Sequence, residues 1–315
     1  MIDSPSCPIC GNRSRYDFSG RDLMFGLHQR YDFFKCDGCS AIFQNPMPSP
    51  EQIASFYPEE YGVYSEDARI RHLSGFRKAL LRQYRGYKHL DVPPHLRLAA
   101  RLWNASHRIG TPAFGNGGKL LDVGCGNGRY LLTMRKLGWQ VEGVEFSESG
   151  VRVCQKENLT VHHGDLPSAN FEDGRFDLIT VRHVVEHIPE PQGFMAELAR
   201  ILKPQGRLVM ETPNANALGR AWFGPNWYAN DVPRHLILFT SDNLALLAAQ
   251  HGLQESGRVV ETSPKIVLNS IDYVTNNTGK PSKRRWARRL LAQVYVFIAK
   301  RSGRGDTFQI TFVKP

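Results

Sequence analysis

The 315-residue chain has no apolar run near the roughly 18–20 residues that a bilayer-spanning helix needs. Its first residues, Met1-Ile2-Asp3-Ser4-Pro5-Ser6-Cys7, carry neither a basic start nor an apolar stretch, so no secretory signal is expected. The expected compartment is therefore the reducing cytoplasm, where six cysteines read as metal ligands or reactive thiols before disulfides, with Cys125 and Cys154 of the core read as small buried residues. No internal repeat is visible. With 41% hydrophobic and 22% charged residues the chain is neither disordered nor collagen-like. Its length suits one large domain or two smaller ones.

Acidic residues are also missing locally. Between Ala68 and Arg108 there are ten Lys/Arg and a single acid, Asp91; between Lys280 and Arg304 there are nine Lys/Arg and no acid. Each stretch carries +9 against a total of +10, so the rest of the chain is net −8. Such segments attract phosphate: nucleic acid, anionic lipid or a phosphorylated substrate. The plainer alternative is a pair of solvated helix faces.

What is present divides the chain into a cysteine-containing head (1–50), a helical basic connector (51–117) and an α/β core (118–315), with a basic amphipathic insertion at about 263–304. In the head, Cys7-Pro-Ile-Cys10 and Cys36-Asp-Gly-Cys39 are separated by 25 residues. Two close cysteine pairs offer four thiolates to one tetrahedral Zn²⁺, and adjacent glycines let the backbone turn around it. Four cysteines leave no open position, so the expected zinc is structural. A head this short buries little core and would draw much of its stability from the metal.

The core opens with Lys119-Leu-Leu-Asp122-Val-Gly124-Cys125-Gly126-Asn-Gly128-Arg-Tyr130, read as an apolar strand, a glycine turn and a helix. Glycines at a helix N-terminus let the backbone approach a ligand. The pattern is Gly-x-Gly-x-Gly, not the Gly-x-Gly-x-x-Gly of a dinucleotide turn, and Asp122 precedes it, placed to hold a positively charged amino group. A second strand ends at Glu145, 17 residues beyond Gly128, where a carboxylate can accept from both ribose hydroxyls. Phe146 follows and can stack on an adenine. A third strand ends at Asp165-Leu166, placed for an adenine amino group. Strands at Phe176–His183 and Arg207–Glu211 and a helix at Phe194–Leu202 continue the alternation. Alternation of this kind predicts a parallel, doubly wound sheet with its ligand at the strand C-terminal ends.

From Leu120 to Asn214 these pieces, LLDVGCGNGRYL, VEGVEFS, HHGDL, FDLITVRHVVEHIPEP and LKPQGRLVMETPN, resemble a class I S-adenosylmethionine-dependent methyltransferase in order and spacing. The resemblance implies a seven-stranded Rossmann-like sheet. It implies Asp122 and the loop of Gly124, Cys125, Gly126 and Gly128 around the methionine moiety, Glu145 on the ribose, and Phe146, Asp165 and Leu166 around the adenine. The head, Asn45–Pro50, Tyr57–Gly62 and Trp227-Tyr-x-x-Asp-Val-Pro-Arg-His235 are similar to a bacterial branch with a zinc-binding head. Relatives there methylate nucleotide-linked sugars or other metabolites. The sugar C-methyltransferases among them carry a further C-terminal domain, which this chain is too short to contain. The resemblance leaves the acceptor open; the expectation adopted is a glycan precursor, a nucleotide- or lipid-linked sugar or a similar metabolite, with oxygen preferred over nitrogen or carbon.

His183-Val-Val-Glu186-His187 also fits the inverted zinc-protease pattern. That pattern needs a continuous helix, whereas a strand leads into His183 and Pro189 follows His187, so a strand-end loop is expected. A hydroxyl acceptor needs its proton removed, and His183, His187 and His235, with Glu186 as base or orienter, are the candidates. The alternative is that Glu186-His187 only ties the loop to the sheet. Arg284 to Arg301 places apolar residues at helical spacing between basic ends, a composition that fits an interfacial membrane helix through 283–301 and peripheral contact with anionic lipid. Phe76, Leu80, Leu81 and Tyr84 in the connector have the same flavour. In both, packing on the core is the competing reading. RNA methylation and a non-enzymatic zinc-headed binding protein are the alternatives for the whole chain. The first has only charge in its favour, and intact cofactor motifs oppose the second.

Overall fold

The computed structural model describes residues 4–26, 29–57, 73–103, 111–115, 118–276 and 285–315. Parts of the expected connector and insertion (58–72, 104–110, 116–117 and 277–284) lie outside these residues, as do most of Tyr57–Gly62 and the side chain of Trp286. The chain forms two compact units, one of residues 1–61, 181–200 and 207–315, the other of 62–180 and 201–206.

The first unit begins with β1 (Ser14–Arg21), β2 (Arg30–Cys36) and β3 (Ile42–Gln44), three antiparallel strands whose alternate residues bury Phe18, Tyr31, Phe33 and Ile42 in one cluster. Helix α1 (Pro50–Ser55) starts at a capping box, with Ser49 and Gln52 satisfying each other's backbone donors.

The second unit starts with α2 (Gly75–Tyr84) and α3 (Pro94–Leu102). Ala79 of α2 and Ala100 of α3 pack with Val92, and Leu80, Leu90 and Leu96 lean on them. The connector's apolar stripe is therefore core packing. Tyr87 is fully buried; its hydroxyl donates to Pro112 O and accepts from Trp139 Nε1. Next come β4 (Lys119–Val123), α4 (Arg129–Lys136), β5 (Gln140–Glu145), α5 (Glu148–Lys156) and β6 (Thr160–His163). β4, β5 and β6 pair in parallel, so β4 and β5 end together, with Val123 opposite Val144. The helices bury Leu131, Leu132 and Met134 from α4 and Val151 and Cys154 from α5.

The remaining elements are β7 (Phe176–Arg182), α6 (Pro191–Ile201), β8 (Leu202–Pro213), α7 (Leu218–Phe223), β9 (Ile237–Leu238), α8 (Ser241–Gln250), β10 (Gln254–Glu261), α9 (Pro264–Asn276), α10 (Arg285–Arg301) and β11 (Thr307–Val313). β8 is longer than the Arg207–Glu211 strand expected from sequence. The strands form a four-stranded sheet, β1-β2-β3-β9, and a seven-stranded sheet, β10-β11-β8-β7-β4-β5-β6. β11 runs antiparallel to both β8 and β10. This is the seven-stranded, Rossmann-like sheet that the resemblance implies; it is mixed rather than wholly parallel as the alternation predicts, because β11 enters antiparallel. The two-residue β9, from far along the chain, completes the sheet of the head through Phe43↔Ile237 and Ile42↔Leu238.

Candidate functional site

In the second unit, the turn after β4 takes three left-handed glycines in five residues, Gly124 (φ +70°), Gly126 (φ +56°) and Gly128 (φ +73°). Side chains are strained in that conformation. At Gly128 a Cβ would also come within 2.4 Å of Leu159 Cδ1 and 2.8 Å of Cys154 Sγ, so the helix start is wedged against α5. Two buried carboxylates flank this turn. Asp122, at 2% exposure, accepts a 2.5 Å hydrogen bond from Thr180 Oγ1. Glu145 accepts from Gly126 N through one oxygen (2.7 Å) and from Ser147 N through the other (2.8 Å). The sequence therefore placed both acids correctly beside the turn, but gave no sign that Glu145 also holds the glycine loop.

Phe146 stands 74% exposed, a free ring face beside Glu145. Asp165 is exposed and accepts from Ser168 N at 2.9 Å; the Ser168 hydrogen bonds hold its carboxyl below the usual range. Leu166 is buried. Cys125 and Cys154 are buried thiols, as expected. The hydrogen bond to Cys154, with burial, pushes the Cys125 thiol up, which keeps it protonated.

The Glu145 carboxylate, at the end of β5 beside the glycine turn, has the acceptor chemistry that hydroxyl donors need. Asp122 is anionic chemistry suited to an ammonium group. These donors and acceptors, with an exposed aromatic ring, fit S-adenosylmethionine.

In the first unit the four candidate proton-handling residues come together. His183 follows β7 in the left-handed region (φ +54°), rare for a non-glycine residue. Val185 to His187 form one 3-10 turn. No continuous α-helix joins the two histidines, so the zinc-protease geometry does not form. Glu186 is fully buried; it accepts from Thr212 Oγ1 at 2.9 Å and lies 3.3 Å from His183 Nδ1 and 3.9 Å from His235 Nε2. His183 Nε2 lies 3.6 Å from Glu211. The His187 and His235 rings meet edge to face at 4.7 Å.

The charge states follow from these neighbours. Burial alone would lower the His183 pKa, but the hydrogen bonds and charges of Glu186 and Glu211 outweigh it and raise it to about 10. Burial opposes the Glu186 charge, yet His183, His235 and His187 hold it down at about 2. Burial, then His187, pushes His235 down to about 4 against the pull of Asp231 and Glu186. At neutral pH the cluster is an imidazolium at His183, a carboxylate at Glu186 and a neutral His235.

Both remaining imidazoles are oriented through Nδ1. His235 Nδ1 bonds Ala229 O, and His187 Nδ1 bonds Arg234 O, each at 2.9 Å. A carbonyl only accepts, so both Nδ1 atoms carry hydrogen, and neutral His235 keeps its lone pair on Nε2. Tyr57 Oη shares the His187 Nδ1 hydrogen at 2.9 Å. Beneath the loop, the fully buried Arg234 guanidinium pairs with Asp22 (2.8 Å) and Asp231 (2.7 Å). Tyr57, Asp22, Thr212, Glu211 and Thr180 were missed in the sequence. Only Tyr57 carried a signal, as part of the Tyr57–Gly62 motif.

In the head, Cys7, Cys10, Cys36 and Cys39 place their sulfurs within 4.8 Å of one another. Backbone N–H groups of Ile9, Gly38 and Cys39 point at Cys7 and Cys36 sulfurs at 3.3–3.4 Å. Four sulfurs converging with N–H donors behind them fit a tetrahedral thiolate-bound metal. Among the described residues, no helix is long and apolar enough to cross a membrane.

A family model described as "Methyltransferase domain" matches residues 95–255, just over half of the chain. The ubiquinone biosynthesis O-methyltransferase of Xanthomonas oryzae pv. oryzae (strain PXO99A) is 33% identical over 127 residues, covering 38% of this chain and 53% of that protein. The protein of the same name from Pectobacterium atrosepticum is 29% identical over 177 residues, covering 46% of this chain and 70% of its own. The chain thus spans about half the length of the first of these relatives. Among solved structures, a SAM-dependent methyltransferase from Archaeoglobus fulgidus is similar at a TM-score of 0.45 and 18% identity, covering 62% of this chain and 86% of that one.

Proposed function

The chain belongs to the class I S-adenosylmethionine-dependent methyltransferase family, and on that premise we propose that it transfers a methyl group from S-adenosylmethionine to a hydroxyl oxygen of a small acceptor. The observation that carries this reading is the pair of buried carboxylates, Asp122 and Glu145, flanking a turn of three left-handed glycines. The name of the curated relatives supports oxygen as the acceptor atom. The acceptor class is a glycan precursor, a nucleotide- or lipid-linked sugar or a similar hydroxyl-bearing metabolite.

When bound, S-adenosylmethionine supplies the methyl group on a sulfonium. Asp122 would hold its amino group, Glu145 its ribose hydroxyls, and Phe146, Asp165 and Leu166 its adenine, with the loop of Gly124, Cys125, Gly126 and Gly128 against the methionine portion. Methyl transfer is an in-line displacement, so positioning supplies much of the rate. The acceptor proton goes to His187. The Nδ1 bond to Arg234 O leaves Nε2 as the nitrogen that receives it, and the ionised Glu186 beside it stabilises the imidazolium that forms. His183 already carries its proton and acts as a fixed charge, and His235, held near 4, is a weak base. Cys7, Cys10, Cys36 and Cys39 would hold a structural Zn²⁺.

Isothermal titration tests the cofactor assignment. Asp122→Ala and Glu145→Ala, folded by circular dichroism, should each lose at least tenfold in affinity for S-adenosylmethionine; normal binding by both refutes it. Labelled S-adenosylmethionine with a fractionated cell extract, read by mass spectrometry, identifies the acceptor. His187→Ala should abolish that label while leaving cofactor affinity intact.

A further inference from the structure

The helical insertion of the first unit has two faces. α10 buries Ala292, Tyr295 and Ala299, spaced i, i+3, i+7, in one cluster with Val267 of α9, and Leu218 and Phe223 of α7 pack on it. The opposite side of α10 carries Leu290, Leu291, Val294, Phe297 and Ile298. Leu290 and Phe297 are each 62% exposed and Leu291 60%. At 3.6 residues per turn these five fall on one stripe, centred roughly 130° around the helix from the buried one. The neighbouring helices add exposed apolar side chains, Val274 on α9 and Trp222 on α7, the Trp222 ring meeting Tyr295 edge-on at 5.4 Å.

The connector α2 offers the internal contrast. Its stripe looked the same in sequence, yet Ala79 and Leu81 are buried. Single exposed apolar residues are ordinary, but a contiguous stripe on a helix already anchored by its other side marks an interaction surface. The charge indicates the partner. Residues 280–304 carry nine Lys/Arg and no acid. Arg289 and Lys300 are exposed on the same helix, and Arg301 falls within the stripe, its guanidinium over the Phe297 ring at 5.9 Å. A second copy of the same face would bring like charges together. α10, with 17 residues, is about 25 Å long, short of the roughly 30 Å hydrocarbon core, so it would lie in the membrane plane.

We propose that the exposed face of α10, with its neighbours on α7 and α9, docks on an anionic lipid bilayer. Apolar side chains enter the headgroup boundary while flanking Lys/Arg meet lipid phosphates. The docking needs no turnover and stands independently of the catalytic reading, although it would bring the enzyme to a lipid-linked acceptor.

The full-length protein is sedimented with vesicles of phosphatidylglycerol and phosphatidylcholine, and with vesicles of phosphatidylcholine alone. Binding should be at least tenfold stronger to the anionic vesicles and fall with added salt. The double variant Leu290→Glu/Phe297→Glu changes only exposed positions. It should lose at least tenfold in vesicle binding while keeping its melting temperature and S-adenosylmethionine affinity. Equal partition of wild type and variant, or no wild-type binding to anionic vesicles, overturns the proposal. So does a wild-type dimer in light scattering that the double variant dissociates, since that makes a second copy the occupant.

Discussion

Replacing Thr180 by valine keeps the shape of the side chain and removes one hydroxyl. That hydroxyl donates at 2.5 Å to Asp122 Oδ1, and both residues are at most 2% exposed. A hydrogen bond to a charged acceptor contributes roughly 1.5–3 kcal/mol, and solvent cannot replace a buried donor. The unfolding free energy of Thr180→Val should therefore fall by about 2 kcal/mol, read as a shift in the urea midpoint. The functional consequence is narrower. If Asp122 receives the amino group of the cofactor, loosening its carboxylate weakens only ligands that carry that group. Affinity for S-adenosylhomocysteine should drop about tenfold, or about 1.4 kcal/mol. Affinity for methylthioadenosine, which lacks the amino acid portion, should stay unchanged. Thr180→Ser, which keeps the donor, should restore both. An equal loss for the two ligands would mean the hydroxyl merely supports the fold; an unchanged S-adenosylhomocysteine affinity would remove Asp122 from the amino-group site.

Three further outcomes follow from the first unit. Cys36→Ser should lower zinc, measured by mass spectrometry, from one ion per chain to background. His183 should titrate in NMR near 10 rather than 6.5, and Glu211→Gln should move it down. Because the folded pKa is raised, this pair stabilises the fold fully below the unfolded value of about 6.5 and the contribution disappears as pH rises through 10; a titration near 6.5 would contradict the charge assignment. Arg234→Met strands two buried carboxylates and should cost about 3–5 kcal/mol in urea unfolding. Much of that loss should return in the triple variant Asp22→Asn/Arg234→Met/Asp231→Asn; no recovery would mean packing, not charge, is what Arg234 provides.

The parts of the fold legible in the sequence were those coded by near neighbours. The strand–glycine turn–helix at 119–136 and the acids at 122 and 145 depend on spacing within one βαβ unit, and spacing survives in a linear string. The partners of those residues do not. Thr180 meets Asp122 across 58 residues, Tyr57 meets His187 across 130, and Arg234 meets Asp22 across 212. Such pairings are decided by strand order and by which loop packs on which, and no local pattern encodes them. The charge of His183 was illegible for the same reason. An unperturbed histidine suggests a base, and only the approach of Glu186 and Glu211 turns it into a cation. Helical periodicity showed that α2 and α10 have apolar stripes; it cannot say which stripe finds a neighbour, and the two helices resolved in opposite ways.

The small strand β9 ties two chemistries to one another. Gln44 N bonds Leu236 O at 2.8 Å, next to His235, and on the far side Asn243 Nδ2 bonds Cys39 O at 3.3 Å. The cysteine cluster and the histidine loop are thus joined through one sheet, so residues roughly 200 positions apart in the chain share the backbone pairing of β3 with β9.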